Sequence, residues 1–137
     1  MNILEKTSQE HILVVDDCID NLYLMQFILE NEGYQVMVAV NGEEALDKIH
    51  RCQPDLVLLD MMMPRMNGYE VVNRLREDSN FSLIPVFLVT ADTYVSQSAA
   101  IAAGADGLLY KPINIEQLLF EVAKILANKQ ASFYSQD

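Results

Sequence analysis

The amino-acid sequence predicts an α/β fold: one five-stranded parallel sheet, doubly wound, with helices on both faces. Five short apolar runs alternate with five stretches of helical periodicity along 137 residues. The first, third and fourth runs are continuously apolar, the pattern of strands covered on both sides. Three of the helical stretches open on an asparagine with Glu or Gln three positions later, a cap followed by a side chain able to reach back. Such βα alternation specifies a parallel sheet, and right-handed crossovers leave few topologies.

The first strand is assigned to residues 12–15. The helix after it is built on Leu22, Met25 and Leu29, yet Ile19, Tyr23, Leu24, Phe27 and Ile28 are apolar too. One buried stripe does not need so many, and the surplus is assigned to a docking surface. Gly33 stops that helix. Residues 36–40 form the second strand, and Asn41 with Glu44 opens a helix on Ala45, Leu46 and Ile49. The third strand is 56–59; Asn67 with Glu70 opens a helix on Val71, Val72 and Leu75, with Arg74 and Arg76 on its solvated face. The fourth strand is 84–89, followed by an Ala-rich helix over 95–103 stopped by Gly104. The fifth strand is 108–110. Asn114 with Gln117 then opens a last helix whose Leu118, Leu119, Val122, Ile125 and Leu126 make one buried stripe. The boundaries read as an N-terminal extension over 1–10, one domain over 11–128 and a C-terminal tail over 129–137.

Composition narrows the function. Asp and Glu number 20 against 9 Lys and Arg, a net charge of −11. Direct nucleic-acid binding is not expected, because a phosphate backbone needs a basic face. No apolar run reaches a membrane span, and the first ten residues carry no secretory signal, so a cytoplasmic protein without membrane contact is expected. Cys18 and Cys52 make neither a metal spacing nor a disulfide framework. His11 and His50 have no partner spacing.

In a parallel sheet the functional site lies beyond the carboxyl ends of the strands. There stand Asp16-Asp17 after the first strand, Asp60 after the third, Thr90 after the fourth and Lys111 after the fifth. Three carboxylates in one shallow site repel one another. A hard divalent ion such as Mg²⁺ relieves that, with Lys111 adding a positive charge. A carboxylate can form an aspartyl phosphate, and metal and lysine together neutralise phosphoryl oxygens. Met61-Met62-Met63 reads as strand-end packing, since thioethers suit soft metals.

The stretches ILVVDD, PDLVLLDMMMPRMNGYEV, IPVFLVTA and GADGLLYKP resemble the response-regulator receiver domain of two-component signalling, the CheY-like superfamily. The likeness runs from about residue 11 to 128. It implies a flavodoxin-like sheet in the order 2-1-3-4-5, as in CheY. It implies Asp60 as phosphoacceptor, Asp17 as direct ligand of Mg²⁺ or Mn²⁺, Asp16 acting largely through water, and the Met62 backbone carbonyl as a further ligand. Thr90 matches the switch hydroxyl and Lys111 the lysine that pairs with the phosphoryl group. Pro112 matches a cis-proline and Gly68 the glycine of the turn after the third strand. One position departs: the family usually carries Tyr or Phe three residues before the lysine, and here that residue is Leu108. Tyr110 is assigned to the opposite strand face.

The resemblance implies phosphoryl transfer from a histidine kinase or a histidine phosphotransfer protein. It also implies output through the fourth helix, fifth strand and fifth helix to a downstream protein. With no output domain after the tail, a stand-alone regulator is expected. The alternative is a receiver excised from a larger response regulator or hybrid kinase. An aspartyl-phosphate hydrolase is disfavoured, because it wants a general acid two residues after the nucleophile and Met62 stands there.

Overall fold

The computed structural model describes residues 9–134. Expectations for 1–8 and 135–137 lie outside the described residues. Five strands, β1 (His11–Val15), β2 (Gln35–Ala39), β3 (Leu56–Asp60), β4 (Val86–Thr90) and β5 (Gly107–Tyr110), alternate with five helices: α1 (Ile19–Asn31), α2 (Gly42–Cys52), α3 (Gly68–Glu77), α4 (Gln97–Ala102) and α5 (Ile115–Tyr134). All pairings are parallel, in the order β2-β1-β3-β4-β5.

The two faces of the sheet feed two separate cores, sorted by the two-residue period of the strands. Leu13, Val15, Val57, Leu59, Val86 and Leu88 pack beneath α2, α3 and α4. Ile12, Val14, Leu56, Leu58, Phe87 and Val89 pack beneath α1 and α5. Central β3 and β4 are buried throughout, whereas edge strand β2 is mostly half-buried.

The predicted caps form. Asn41 Oδ1 accepts from Glu44 N at 2.7 Å, and Asn67 and Glu70 close a reciprocal box with both bonds at 3.0 Å. Asn114 Oδ1 accepts from Gln117 N at 2.9 Å. Gly33 and Gly104 adopt φ of 98° and 108°, the left-handed turn that ends a helix.

Three expectations are corrected. The last helix does not stop at residue 128 but runs to Tyr134, because KQASFY contains neither Gly nor Pro to end it. Tyr110 is not on the face opposite Leu108. A separation of two residues keeps one strand face, so both pack in the core under α4 while Leu109 takes the other. Arg76 is not solvated: its guanidinium donates to the carbonyls of Gly104, Ser82 and Ile84 and pairs with Asp106 at 3.0 Å. The fork of an arginine can serve several acceptors at once, which the helix face alone does not reveal. His50, which has no metal-ligand spacing, instead ties down α2: its Nδ1 lies 2.7 Å from the Leu46 carbonyl, its Nε2 3.4 Å from Asp78, and its ring meets the edge of Phe81.

Gly68 fastens α3 to the end of β3. A Cβ there would sit 2.9 Å from both the Asp60 carbonyl oxygen and the Met61 Cα, backbone atoms with nowhere to go. Gly68→Ala is predicted to destabilise the protein by about 1–3 kcal/mol, the usual cost of forced backbone shifts, measured by denaturant unfolding. An unchanged midpoint and slope would show that this turn has slack.

Candidate functional site

Each site residue is delivered by a strand end. β1 stops at Val15, and Asp16 is held by its own neighbourhood: Oδ1 accepts from Cys18 N at 2.9 Å and Oδ2 from Asn21 Nδ2 at 3.3 Å. These bonds form the entry to α1, whose cap residue Cys18 offers no side-chain cap of its own. Asp17 is exposed and makes no hydrogen bond or ion pair among the described residues. Asp60 is the last residue of β3, and its Oδ1 accepts from Met62 N at 3.2 Å. Met61 and Met63 are buried and Met62 is exposed, so the methionine run packs the strand end on alternate residues.

The carboxylates of Asp16, Asp17 and Asp60 each place an oxygen within 4.8 Å of the others. Asp16 and Asp60 are buried, which raises the cost of their mutual repulsion. Lys111 answers it: its Nζ lies 3.1 Å from Asp16 Oδ2 and 3.5 Å from Asp60 Oδ2. The Lys111–Pro112 peptide bond beside it is cis.

Burial pushes the Asp60 carboxyl above its ordinary 3.8. The Met62 N–H works against this, Asp16 adds to it, Lys111 opposes it and Asp17 adds a little more. For Lys111, burial works against the ammonium, but hydrogen bonding to Asp16 and the charges of Asp60 and Asp16 outweigh it and hold the amine above 10.5. The pocket therefore carries more negative charge than its one lysine balances. Oxygen donors only, closely spaced and short of positive charge, fit a hard divalent cation.

Thr90 is fully buried at the end of β4. Its Oγ1 accepts from Asp92 N at 3.0 Å, which leaves the hydroxyl hydrogen free to donate. A groove of about 490 Å³ opens beside the cluster, with Asp60 and Lys111 at its polar end and Leu24, Met25 and Ile113 among its apolar walls. On the outer side of α1, Ile19, Tyr23, Leu24 and Phe27 are exposed, which matches the surplus apolarity read from the sequence.

Asp16, Asp17, Asp60 and Lys111 thus stand together as the strand ends predicted, with Thr90 on the adjoining strand. Sequence reasoning missed Asn21, Arg76 and the hydrogen bond from Tyr110 to the Val95 carbonyl. For Asn21 a signal existed: it is an asparagine five residues after Asp16, in the first turn of the helix that follows it. For the other two there was none, because their partners are remote backbone carbonyls and, for Arg76, a carboxylate 30 positions away.

Comparison with known proteins agrees with this geometry. The alkaline phosphatase synthesis transcriptional regulatory protein PhoP of Bacillus subtilis is 37% identical over 120 residues, which cover 87% of this chain and 49% of PhoP. Protein PilH of Pseudomonas aeruginosa is 36% identical over 117 residues, covering 85% of this chain and 97% of PilH. The chain therefore spans about half the length of the first and nearly all of the second. The solved structure of chemotaxis response regulator CheY4 of Vibrio cholerae superposes with a TM-score of 0.79 at 33% identity, covering 86% of this chain and 99% of CheY4. The model of the response regulator receiver domain matches residues 12–123. Strand order, acidic pocket and these likenesses converge, and the chain belongs to the receiver domain family of two-component response regulators.

Proposed function

We propose that residues 11–128 form a phosphoaccepting signalling module in which Asp60 takes a phosphoryl group from a phosphohistidine. The observation that carries this reading is the buried Asp60 carboxylate, 3.5 Å from Lys111 Nζ and within 4.8 Å of two further carboxylates. The donor is a histidine kinase or a histidine phosphotransfer protein, docking over the exposed apolar face of α1 beside the site.

An Asp60 oxygen attacks phosphorus, the P–N bond to the donor imidazole breaks, and its electron pair returns to the ring nitrogen. Asp17 directly, Asp16 largely through water, Asp60 and the Met62 carbonyl would hold Mg²⁺ or Mn²⁺. When bound, that ion supplies positive charge for the phosphoryl oxygens. Lys111, already lodged between Asp16 and Asp60, turns its charge to the arriving group. Thr90 donates its free hydroxyl hydrogen to a phosphoryl oxygen. Attack by water on the same phosphorus later returns the carboxylate and inorganic phosphate. Output passes through α4, β5 and α5 to a downstream protein in the cytoplasm, without direct nucleic-acid contact. The same chemistry serves a stand-alone regulator or a receiver within a larger response regulator or hybrid kinase.

Incubation with acetyl phosphate and Mg²⁺ is predicted to add one phosphoryl group by intact mass, and Asp60→Asn to abolish the addition. A full mass shift in the variant would overturn the assignment.

In the absence of divalent ions the stability of the protein should depend on pH. The Asp60 carboxyl is raised in the folded state, so over the window from 3.8 upward the folded protein binds the extra proton. This group's contribution to stability then falls as pH rises through that window. Asp60→Asn removes the ionising carboxyl, so in EDTA at pH 7 the variant should melt above the wild type. Millimolar Mg²⁺ should raise the melting temperature of the wild type and narrow the gap. A variant that melts lower in EDTA would show that carboxylate repulsion does not govern the pocket.

A further inference from the structure

The loop between β4 and α4 is held by a chain of hydrogen bonds that begins at Thr90 and ends on β5. Asp92 N donates to Thr90 Oγ1 at 3.0 Å, and Tyr94 N donates to Asp92 Oδ1 at 2.9 Å. Val95 N donates to the Asp92 carbonyl at 3.3 Å. The carbonyl of Val95 in turn accepts from the Tyr110 hydroxyl. Asp92 sits in the middle, tied backward to the threonine and forward to the residue that Tyr110 grips.

We propose that Tyr110 is the latch of this loop, its phenol O–H holding the Val95 carbonyl in the unphosphorylated protein and releasing it when Thr90 is drawn to a phosphoryl group. The inference rests on the phosphoacceptor reading of Asp60. Thr90 is fully buried and its oxygen closes a short turn onto Asp92 N. Moving that side chain toward Asp60 takes the acceptor away from Asp92 N. The Asp92 carbonyl and carboxylate then shift together, and Val95, bonded to one of them, shifts with them.

Val95 and Tyr110 are both partly buried against the core under α4, so the phenol cannot follow the carbonyl freely. Leu108, on the same face, has no polar side-chain atom to take part. Its backbone carbonyl is occupied by Gln97 Nε2 at 2.7 Å. Tyr110 is thus the side chain of β5 whose hydroxyl registers where the loop stands.

A contact made only in the free state opposes switching by its own free energy. Removing the hydroxyl should favour the switched state by the net worth of one neutral hydrogen bond, roughly 2- to 10-fold in equilibrium.

The test compares wild type with Tyr110→Phe, which keeps the ring and removes only the hydroxyl. In the free protein, amide exchange over residues 91–96 should be faster in the variant, with β1 and β3 unchanged. With Mg²⁺ and beryllofluoride standing in for the phosphoryl group, the variant should bind roughly 2- to 10-fold more tightly. The Tyr110 ring resonances of the wild type should also move on binding. Equal exchange in the loop overturns the latch. So does equal or weaker beryllofluoride affinity, or a Tyr110 ring unmoved by binding. If wild type binds no beryllofluoride while the loop loosens in the variant, the phosphoacceptor reading fails and the link to Thr90 is overturned with it. The exchange difference then belongs to a purely structural tether.

Discussion

Three carboxylates held within 4.8 Å of one another on the edge of a parallel sheet set the terms for the rest of the molecule. Two of them, Asp16 and Asp60, are buried, where like charges interact through a poorer dielectric than water. A chain would not assemble such a cluster for stability's sake. What keeps it together is rigidity beneath and a counter-charge within. β1 and β3 are neighbours in the sheet, and their registered pairing from Ile12 with Leu56 to Val15 with Leu59 brings their ends to the same level. Lys111 arrives from β5, two strands from β3, and bridges Asp16 and Asp60. The raised carboxyl of Asp60 is the trace of a conflict that one lysine only partly settles.

The scaffold around the cluster is fastened at points that have no part in its chemistry. Arg76 joins the end of α3 to the carbonyls of Ser82, Ile84 and Gly104 and to Asp106, so one guanidinium anchors the segments before β4 and β5. Asp106 also accepts from Val86 N at 2.8 Å, at the first residue of β4. At the sheet edges, side chains take up strand carbonyls: Lys48 that of Val38 on β2, and Gln97 that of Leu108 on β5. An edge strand otherwise offers such groups to any passing chain. The Arg76 and Asp106 anchors lie at the amino-terminal edge of the sheet, opposite the edge where the site residues gather.

Two surfaces flank the pocket, and they differ in kind. α1 presents Ile19, Tyr23, Leu24 and Phe27 to solvent beside the acidic cluster, the apolar face on which the proposed phosphodonor would dock. The β4–α4 loop presents Tyr94, 96% exposed, above a hydrogen-bond chain that leads inward to Thr90. Both meet at the strand ends because a parallel sheet gathers its crossover loops there.

Much of this was legible in the amino-acid order alone. The strands, the asparagine caps, the glycine stops and the residues at the strand ends all depend on neighbours within a few positions, so local periodicity and chemistry determine them. The resemblance to receiver domains added the strand order and a role for each acidic residue. The tertiary structure decided what depends on distance across the fold. The Arg76 anchor joins groups 6 to 30 positions apart, and the Lys111–Asp16 pair spans 95. The first has no local signature, since a remote carbonyl or carboxylate carries no mark of its future partner; the second was expected in outline from strand ends meeting on one sheet edge, and the fold fixed which carboxylate oxygens the ammonium reaches. Tyr110 illustrates both sides. Its strand face followed from counting by two and was open to the sequence, yet which atom its hydroxyl would reach depended on where the loop after Thr90 came to rest. A loop's path is set by what it packs against, and only the assembled fold supplies that.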